Sequence, residues 1–289
     1  MFELIPGGLG WHPDLPDPRD YTPEHPELAR MLAGLKAQTR LPTSVDWREF
    51  CPPIADQEDL PTGAAHAAVA LVRYFERRAS GRFSLPSRAF VHQVTRRLLN
   101  RTGHGGCDLR TTWKAIARFG IPAEHHCPYG RSRIEGEPDA FAYAAAEKLP
   151  NLCYVRLDGR NRSGEEALLA AKAFLAAGFP SSFGFPVCVW PSRDPDICYP
   201  TIYDTIRGGQ AAMAVGYDDN RWIRSDKGAL LIANSWGTNW GDNGYGWLPY
   251  TFVRERLAVD FWTLVRPEWL ASGEFDRPLG LGAAAEPGA

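Results

Sequence analysis

At 289 residues, with 44% hydrophobic and 12% aromatic content, the chain has apolar material for a full core, which excludes a disordered protein and leaves one large domain or two lobes. Its 32 basic and 34 acidic residues lie without long runs and give a formal charge of -2, so no broad field favours nucleic acid or anionic lipid and neither partner is expected. No stretch reaches the ~18 apolar residues of a membrane span, and the N-terminus lacks a basic start followed by an apolar run, so a cytoplasmic location is expected.

Residues 1–42 are rich in Pro and Asp, and predict an extended arm lying on the surface of a domain. A turn-rich approach, "CPPIADQEDLPTG", leads into "AAHAAVALVRYFERRA", an almost continuously apolar stretch that fits a helix buried on most sides. "LPSRAFVHQVTRRLLN" and "LRTTWKAIARFGI" carry apolar residues at helical spacing, the second stopping at Gly120. Ser163 and Glu166 form a capping-box pattern before "ALLAAKAFLAAG", and Gly178 supplies the stop. Beyond it the short runs "SSFGFPVCVW", "AAMAVGYDD", "ALLIANSW" and "YGWLPY" read as antiparallel strands. The order predicts an α+β fold of two lobes: a helical lobe over about 55–180, a β lobe over about 181–268, and a cleft between them. Within that plan 43–270 form the domain and 271–289 a disordered tail. The six cysteines are scattered and read as mostly buried thiols; a Cys188–Cys198 bridge is the less favoured alternative.

Five separated stretches carry a resemblance: "GWHPDLPDPRDYTP", "LPTSVDWREFCPPIADQ", "GGCDLRTTWKAIARFGI", "GGQAAMAVGYDD" and "LIANSWGTNWGDNGYGWLPY". Together they resemble the papain-like cysteine peptidases, especially the compact prokaryotic branch without a long inhibitory propeptide. The resemblance spans roughly residues 10–268 and implies a papain-like two-lobed fold. It also implies an oxyanion-hole glutamine, a cysteine nucleophile six residues later at the start of the central helix, a downstream histidine base and an asparagine that orients it.

Carried over position by position, Gln57 matches the glutamine and Asn234 the asparagine, with Trp236 as the shield of the base. The nucleophile position falls on Gly63 and the base position on Gln210. These lie 147 positions apart, within the ~130–150 separating the pair in such enzymes. A glycine cannot attack a carbonyl, nor can a glutamine shuttle a proton near neutral pH, so ordinary peptidase activity is expected to be absent. The surviving parts suggest a site that binds a peptide or protein without cleaving it, drawing on Gln57, Thr62, Gly63, Gln210 and Asn234. Gly105 and Gly106 resemble the glycines whose backbone pairs with an extended ligand, a simple turn being the alternative. Trp236 and Trp240 are candidate cleft walls, unless they only pack the sheet lobe.

Two further readings stay open: an enzyme with relocated, non-hydrolytic chemistry, for which His66 is a candidate base, and a scaffold whose cleft is vestigial. His66 reads better as a core histidine, and "HHC" at 125–127 has poor spacing for a metal. No metal or cofactor is expected.

Overall fold

The computed structural model describes residues 9–32, 41–82, 84–102, 105–188 and 194–275. The arm is only partly the surface strap that its composition predicts. It contains a short helix, α1 (Pro26–Leu32), and Trp11 is buried at 6% exposure, because its indole finds an apolar seat that a Pro- and Asp-rich average conceals. Next come β1 (Ser44–Asp46) and the central helix α2 (Gly63–Ser80). All six residues Gly63–Ala68 are buried, and five of them are Gly or Ala, small enough to let neighbouring backbone approach closely. Gly81 ends α2 in the left-handed region, donating its N–H to Arg77 O at 2.8 Å.

Helix α3 (Arg88–Leu98) starts on Ser87, whose Oγ accepts from Phe90 N at 3.0 Å, and α4 (Leu109–Phe119) starts on Asp108, which accepts from Thr111 N at 2.7 Å. Gly120 closes α4 with a positive φ of 78°, where a side chain would collide with the Glu147 carbonyl. After the short α5 (Ala140–Ala144) and β2 (Cys153–Arg156) comes α6 (Gly164–Ala176). Its expected capping box is complete: Ser163 N donates to Glu166 Oε2 at 2.7 Å and Glu166 N to Ser163 Oγ at 3.2 Å.

The remaining strands are β3 (Ser181–Val187), β4 (Gly208–Ile223), β5 (Asp226–Ala233), β6 (Tyr245–Pro249) and β7 (Val259–Val265); α7 (Thr251–Arg254) lies between the last two and α8 (Pro267–Leu270) follows. They form one antiparallel sheet in the order β2-β7-β3-β4-β5-β6. One edge of β4 serves two partners end to end, β3 along 208–214 and β1 along 216–218.

The α+β, two-lobed expectation holds, but the lobes do not divide near residue 180. β1 and β2 join the sheet from the first half of the chain, and α6 packs on β4 and α7, because edge pairing and burial of an apolar helix face ignore chain order. Helix α2 packs against β3 and β4 on one side and α3 and α4 on the other. The tail also departs from expectation over its first residues: Phe275 is buried, with ring centroids 5.7 Å from Phe75 and 4.9 Å from Phe179. The rest of the tail lies outside the described residues. All six cysteines are free thiols, Cys188 and Cys198 among them. Among the described residues no helix is long and apolar enough to cross a membrane.

Candidate functional site

The start of α2 faces the first half of β4, and this juxtaposition brings together Gln57, Gly63, Gln210 and Asn234, the four residues that the resemblance singled out. Gly63 is the first residue of α2; a methyl group there would sit 2.6 Å from Gln210 Oε1. The glutamine side chain therefore occupies the space that any side chain at 63 would need. Gln210 Nε2 donates to Gln57 Oε1 at 2.8 Å and to Asn234 Oδ1 at 2.9 Å, with Ser235 Oγ at 3.2 Å. Ser235 Oγ donates to Gln57 Oε1 at 2.6 Å, and Ser235 N to Asn234 Oδ1 at 2.9 Å. Gln57, Gln210, Asn234 and Ser235 are all buried.

The Gln57 amide turns its oxygen toward Gln210 and Ser235 and donates Nε2–H to Leu60 O at 2.9 Å. It serves as an acceptor for the cluster, in place of the outward donor its position implies. Ser235 is a member that sequence reasoning missed. It follows Asn234 directly, and a hydroxyl beside the asparagine was the available signal. The cluster is built of amides and one hydroxyl, groups that hold a polar network without exchanging protons near neutral pH.

A segment of the chain itself lies across this cluster. Trp11 N donates to Gly209 O, His12 N to Cys107 O and Cys107 N to Gly10 O, each at 3.0 Å. Gly10 presses on the Gly63 N–H and the Pro61 carbonyl so closely that a side chain at 10 would collide with both. Gly106 faces Gly10 in turn, a methyl there falling 2.6 Å from its carbonyl oxygen. The backbone that pairs with residues 10–12 is that of the next residue, Cys107, while the Gly106 carbonyl accepts from Arg96 Nη1 at 3.1 Å. Gly105 instead lies beside the Arg96 guanidinium. The Trp11 indole rests where side chains at Gly184 and Gly209 would otherwise stand and donates Nε1–H to Asp260 Oδ2 at 3.2 Å. The quoted "GWHP" lies in the arm, but nothing local in it says where the indole goes.

The remaining candidates are held inside the protein. Tyr129 OH donates to Gln57 O at 2.9 Å and so accepts from Thr62 Oγ1 at 2.7 Å. Trp236 and Trp240 are both buried and meet edge to face at 5.2 Å. His66 is buried, and burial together with the nearby Arg88 charge pushes its pKa down to about 3. Its Nδ1 lies 3.1 Å from Thr62 O; a carbonyl only accepts, so the ring proton sits on Nδ1 and the imidazole is neutral. Cys107 places a thiol 3.8 Å from His92 Nδ1, yet both residues are buried and burial raises the thiol to about 12. That is the setting of an inert structural cysteine. The His125 and His126 rings lie 3.9 Å apart between centroids, tilted by 47°. Among the described residues no group of three or more His, Cys, Asp or Glu could hold a metal ion.

Comparison with known proteins agrees with this architecture. The family model described as papain family cysteine protease matches residues 41–251. An uncharacterised peptidase C1-like protein of Acanthamoeba polyphaga mimivirus is 33% identical over 218 residues, covering 72% of this chain and 68% of the relative. Cathepsin K of Gallus gallus is 27% identical over 215 residues, covering 72% of this chain and 58% of that protein. Among solved structures, xylellain, a cysteine protease from Xylella fastidiosa, superposes with a TM-score of 0.70 at 31% identity, covering 90% of this chain and 97% of that one.

Proposed function

We propose that this chain, which belongs to the papain family of cysteine proteases, uses the family's cleft as a non-cleaving receptor for an extended peptide segment. The observation that carries the reading is the contact between Gly63 and Gln210. Where the family resemblance calls for a nucleophile and a base, a glutamine side chain fills the space beside a glycine and is tied into an amide cluster. Removing one member of such a catalytic unit costs on the order of 10⁶ in turnover, so peptide hydrolysis is absent in this reading. The backbone edges at Cys107 and Gly209 hold residues 10–12 as they would hold an external peptide, and a peptide or protein partner binds by displacing the arm. Six free thiols suit a reducing compartment, and a cytoplasmic location is part of the same proposal.

The test compares the parent protein, Trp11→Ala and the double variant Gly63→Cys with Gln210→His made in the Trp11→Ala background on a fluorogenic peptide library, a thiol-directed label and a peptide-binding array. The parent is expected to show no turnover and no labelling at position 63, Trp11→Ala to bind array peptides more tightly than the parent, and the double variant combined with Trp11→Ala to take the label. Turnover by the parent overturns the non-cleaving half, and array binding unchanged by Trp11→Ala overturns the receptor half.

The scaffold reading has one observation of its own. Ile202, Tyr203 and Ile206 are 91%, 89% and 56% exposed in a single loop, a place where apolar surface serves contact with another protein.

A further inference from the structure

The arm meets the domain through charge as well as through Trp11, and those charges do not balance. On the domain side, Arg110 of α4 and Arg156 of β2 stand over the Trp262 ring, 5.8 and 5.3 Å from its centroid. Arg156 pairs with Asp158 at 3.0 Å and with Asp260 at 3.1 Å, so two guanidiniums face two carboxylates. The arm then adds two more. Asp14 pairs with Arg110, and Asp20 lies 2.8 Å from Arg110 and 3.6 Å from Arg156. With the arm in place, four carboxylates share two guanidiniums. The side chains of Arg156, Asp158, Asp260 and Asp20 are only 1%, 3%, 0% and 6% exposed, so water screens little of the surplus negative charge.

Asp260 is the point where the arm rests on this group. Its Oδ2 accepts from Trp11 Nε1 at 3.2 Å and from Asp14 N at 3.3 Å, while Oδ1 accepts from Trp262 Nε1 at 3.1 Å. The charges that bear on it are Arg156 of β2, Asp158 just beyond that strand, and Arg110 of α4. Burial pushes Asp260 up to about 7, with Asp158 adding to the rise and Arg156 and the two indoles opposing it. Burial also raises Asp14, helped by Asp108 at the start of α4 and opposed by Arg110 and Arg156. An arm that lifts away removes two carboxylates from the group and opens Oδ2 to water, and both changes favour an ionised Asp260. Against them stands the loss of two long hydrogen bonds.

We propose that seating residues 11–20 on the domain takes up a proton from solvent, held within the Asp14 and Asp260 group, so that the arm closes more firmly in acid than at neutral pH. The sign follows from linkage. The group holds its proton more tightly with the arm seated than with it lifted, so seating is fully favoured below about pH 4 and weakens as pH rises through about 7. The same residues 10–12 that pair with Cys107 and Gly209 cover the Gly63 N–H, so the proton controls whether that backbone is free. For peptide entry the consequence rests on the receptor reading proposed above: a peptide that must displace the arm enters more readily at neutral pH than in acid.

The experiment measures arm opening and carboxyl titration in the full chain without any ligand. Hydrogen exchange at the Trp11, His12 and Cys107 amides, divided by the intrinsic chemical rate at each pH, gives an opening constant. It should rise between about pH 5 and 7, by up to about tenfold per pH unit, while the amides of β5 stay slow. In Asp260→Asn, where asparagine suits the positive φ of 68° at that position, the rise should flatten. An opening constant that does not change with pH in the parent, or the same rise in Asp260→Asn, overturns the proposal. A second measurement needs no change at Asp260. The ¹³C resonance of its carboxyl, assigned through bonds from the backbone, should titrate near pH 7 in the parent and at least about one pH unit lower in Trp11→Ala. A carboxylate that stays ionised down to about pH 4 in the parent, or that titrates no lower in Trp11→Ala, also overturns it. Neither measurement uses a peptide, so either failure leaves the receptor reading to its own test.

Discussion

Gly63 and Gln210 act as one unit, since each occupies space the other would need. Gly63→Ala alone must push the Gln210 amide off its three contacts, leaving buried polar atoms unpaired at about 1–3 kcal/mol. In a Gln210→Ala background the same change meets a vacant space, and its cost should fall or reverse. Urea unfolding of the four proteins in a double-mutant cycle checks this; additive effects would contradict it. His66 gives a second prediction. Its folded pKa is depressed to about 3, below the ~6.5 of an unfolded histidine, so its contribution is present above about pH 6.5 and is lost as pH falls toward 3. Asp260 runs the other way. Burial, opposed by Arg156, raises it to about 7, so its contribution is present below about pH 4 and lost as pH rises toward 7. The two slopes offset each other in the parent. They separate in variants: relative to the parent, His66→Gln should gain stability as pH falls from 6.5 to 3, at up to about 1.4 kcal/mol per pH unit, and Asp260→Asn as pH rises from 4 to 7. Denaturation midpoints measured across that range decide both signs.

Among the elements, the stretch of the arm at residues 10–12 is held chiefly by one side chain. Three backbone hydrogen bonds of about 1 kcal/mol each tie residues 10–12 to Cys107 and Gly209, whereas truncating a buried tryptophan to alanine costs about 3–5 kcal/mol. Trp11→Ala should therefore loosen residues 10–12 while the sheet stays folded. Hydrogen exchange would then speed up at the amides of His12 and Cys107 and stay slow along β4 and β5; unchanged protection at His12 would refute it. Helix limits such as Ser163, Glu166 and Gly120 were legible because capping and positive-φ chemistry act within a few residues. The burial of Trp11 and the assignment of α6 to the sheet lobe were not, because each depends on a surface assembled from distant segments.

Across the whole molecule, a buried charge network joins the arm to the sheet. Arg156 on β2, 1% exposed, reaches Asp158 at 3.0 Å, Asp260 on β7 at 3.1 Å and Asp20 of the arm at 3.6 Å. Asp20 and Asp14 also pair with Arg110 on α4. Arg156→Met would leave carboxylates buried without their cation and should cost about 3–5 kcal/mol in global stability, read as a lower chemical denaturation midpoint; a change under 1 kcal/mol would mean the carboxylates find other partners. The sequence by itself determined the α+β plan and the helix ends, since periodicity, capping and spacing are properties of the chain read in order. Only the tertiary structure decided that Gln210 fills the space beside Gly63 and that residues 10–12 lie between Cys107 and Gly209. Those facts depend on which distant side chains compete for the same volume, and linear order does not encode that directly.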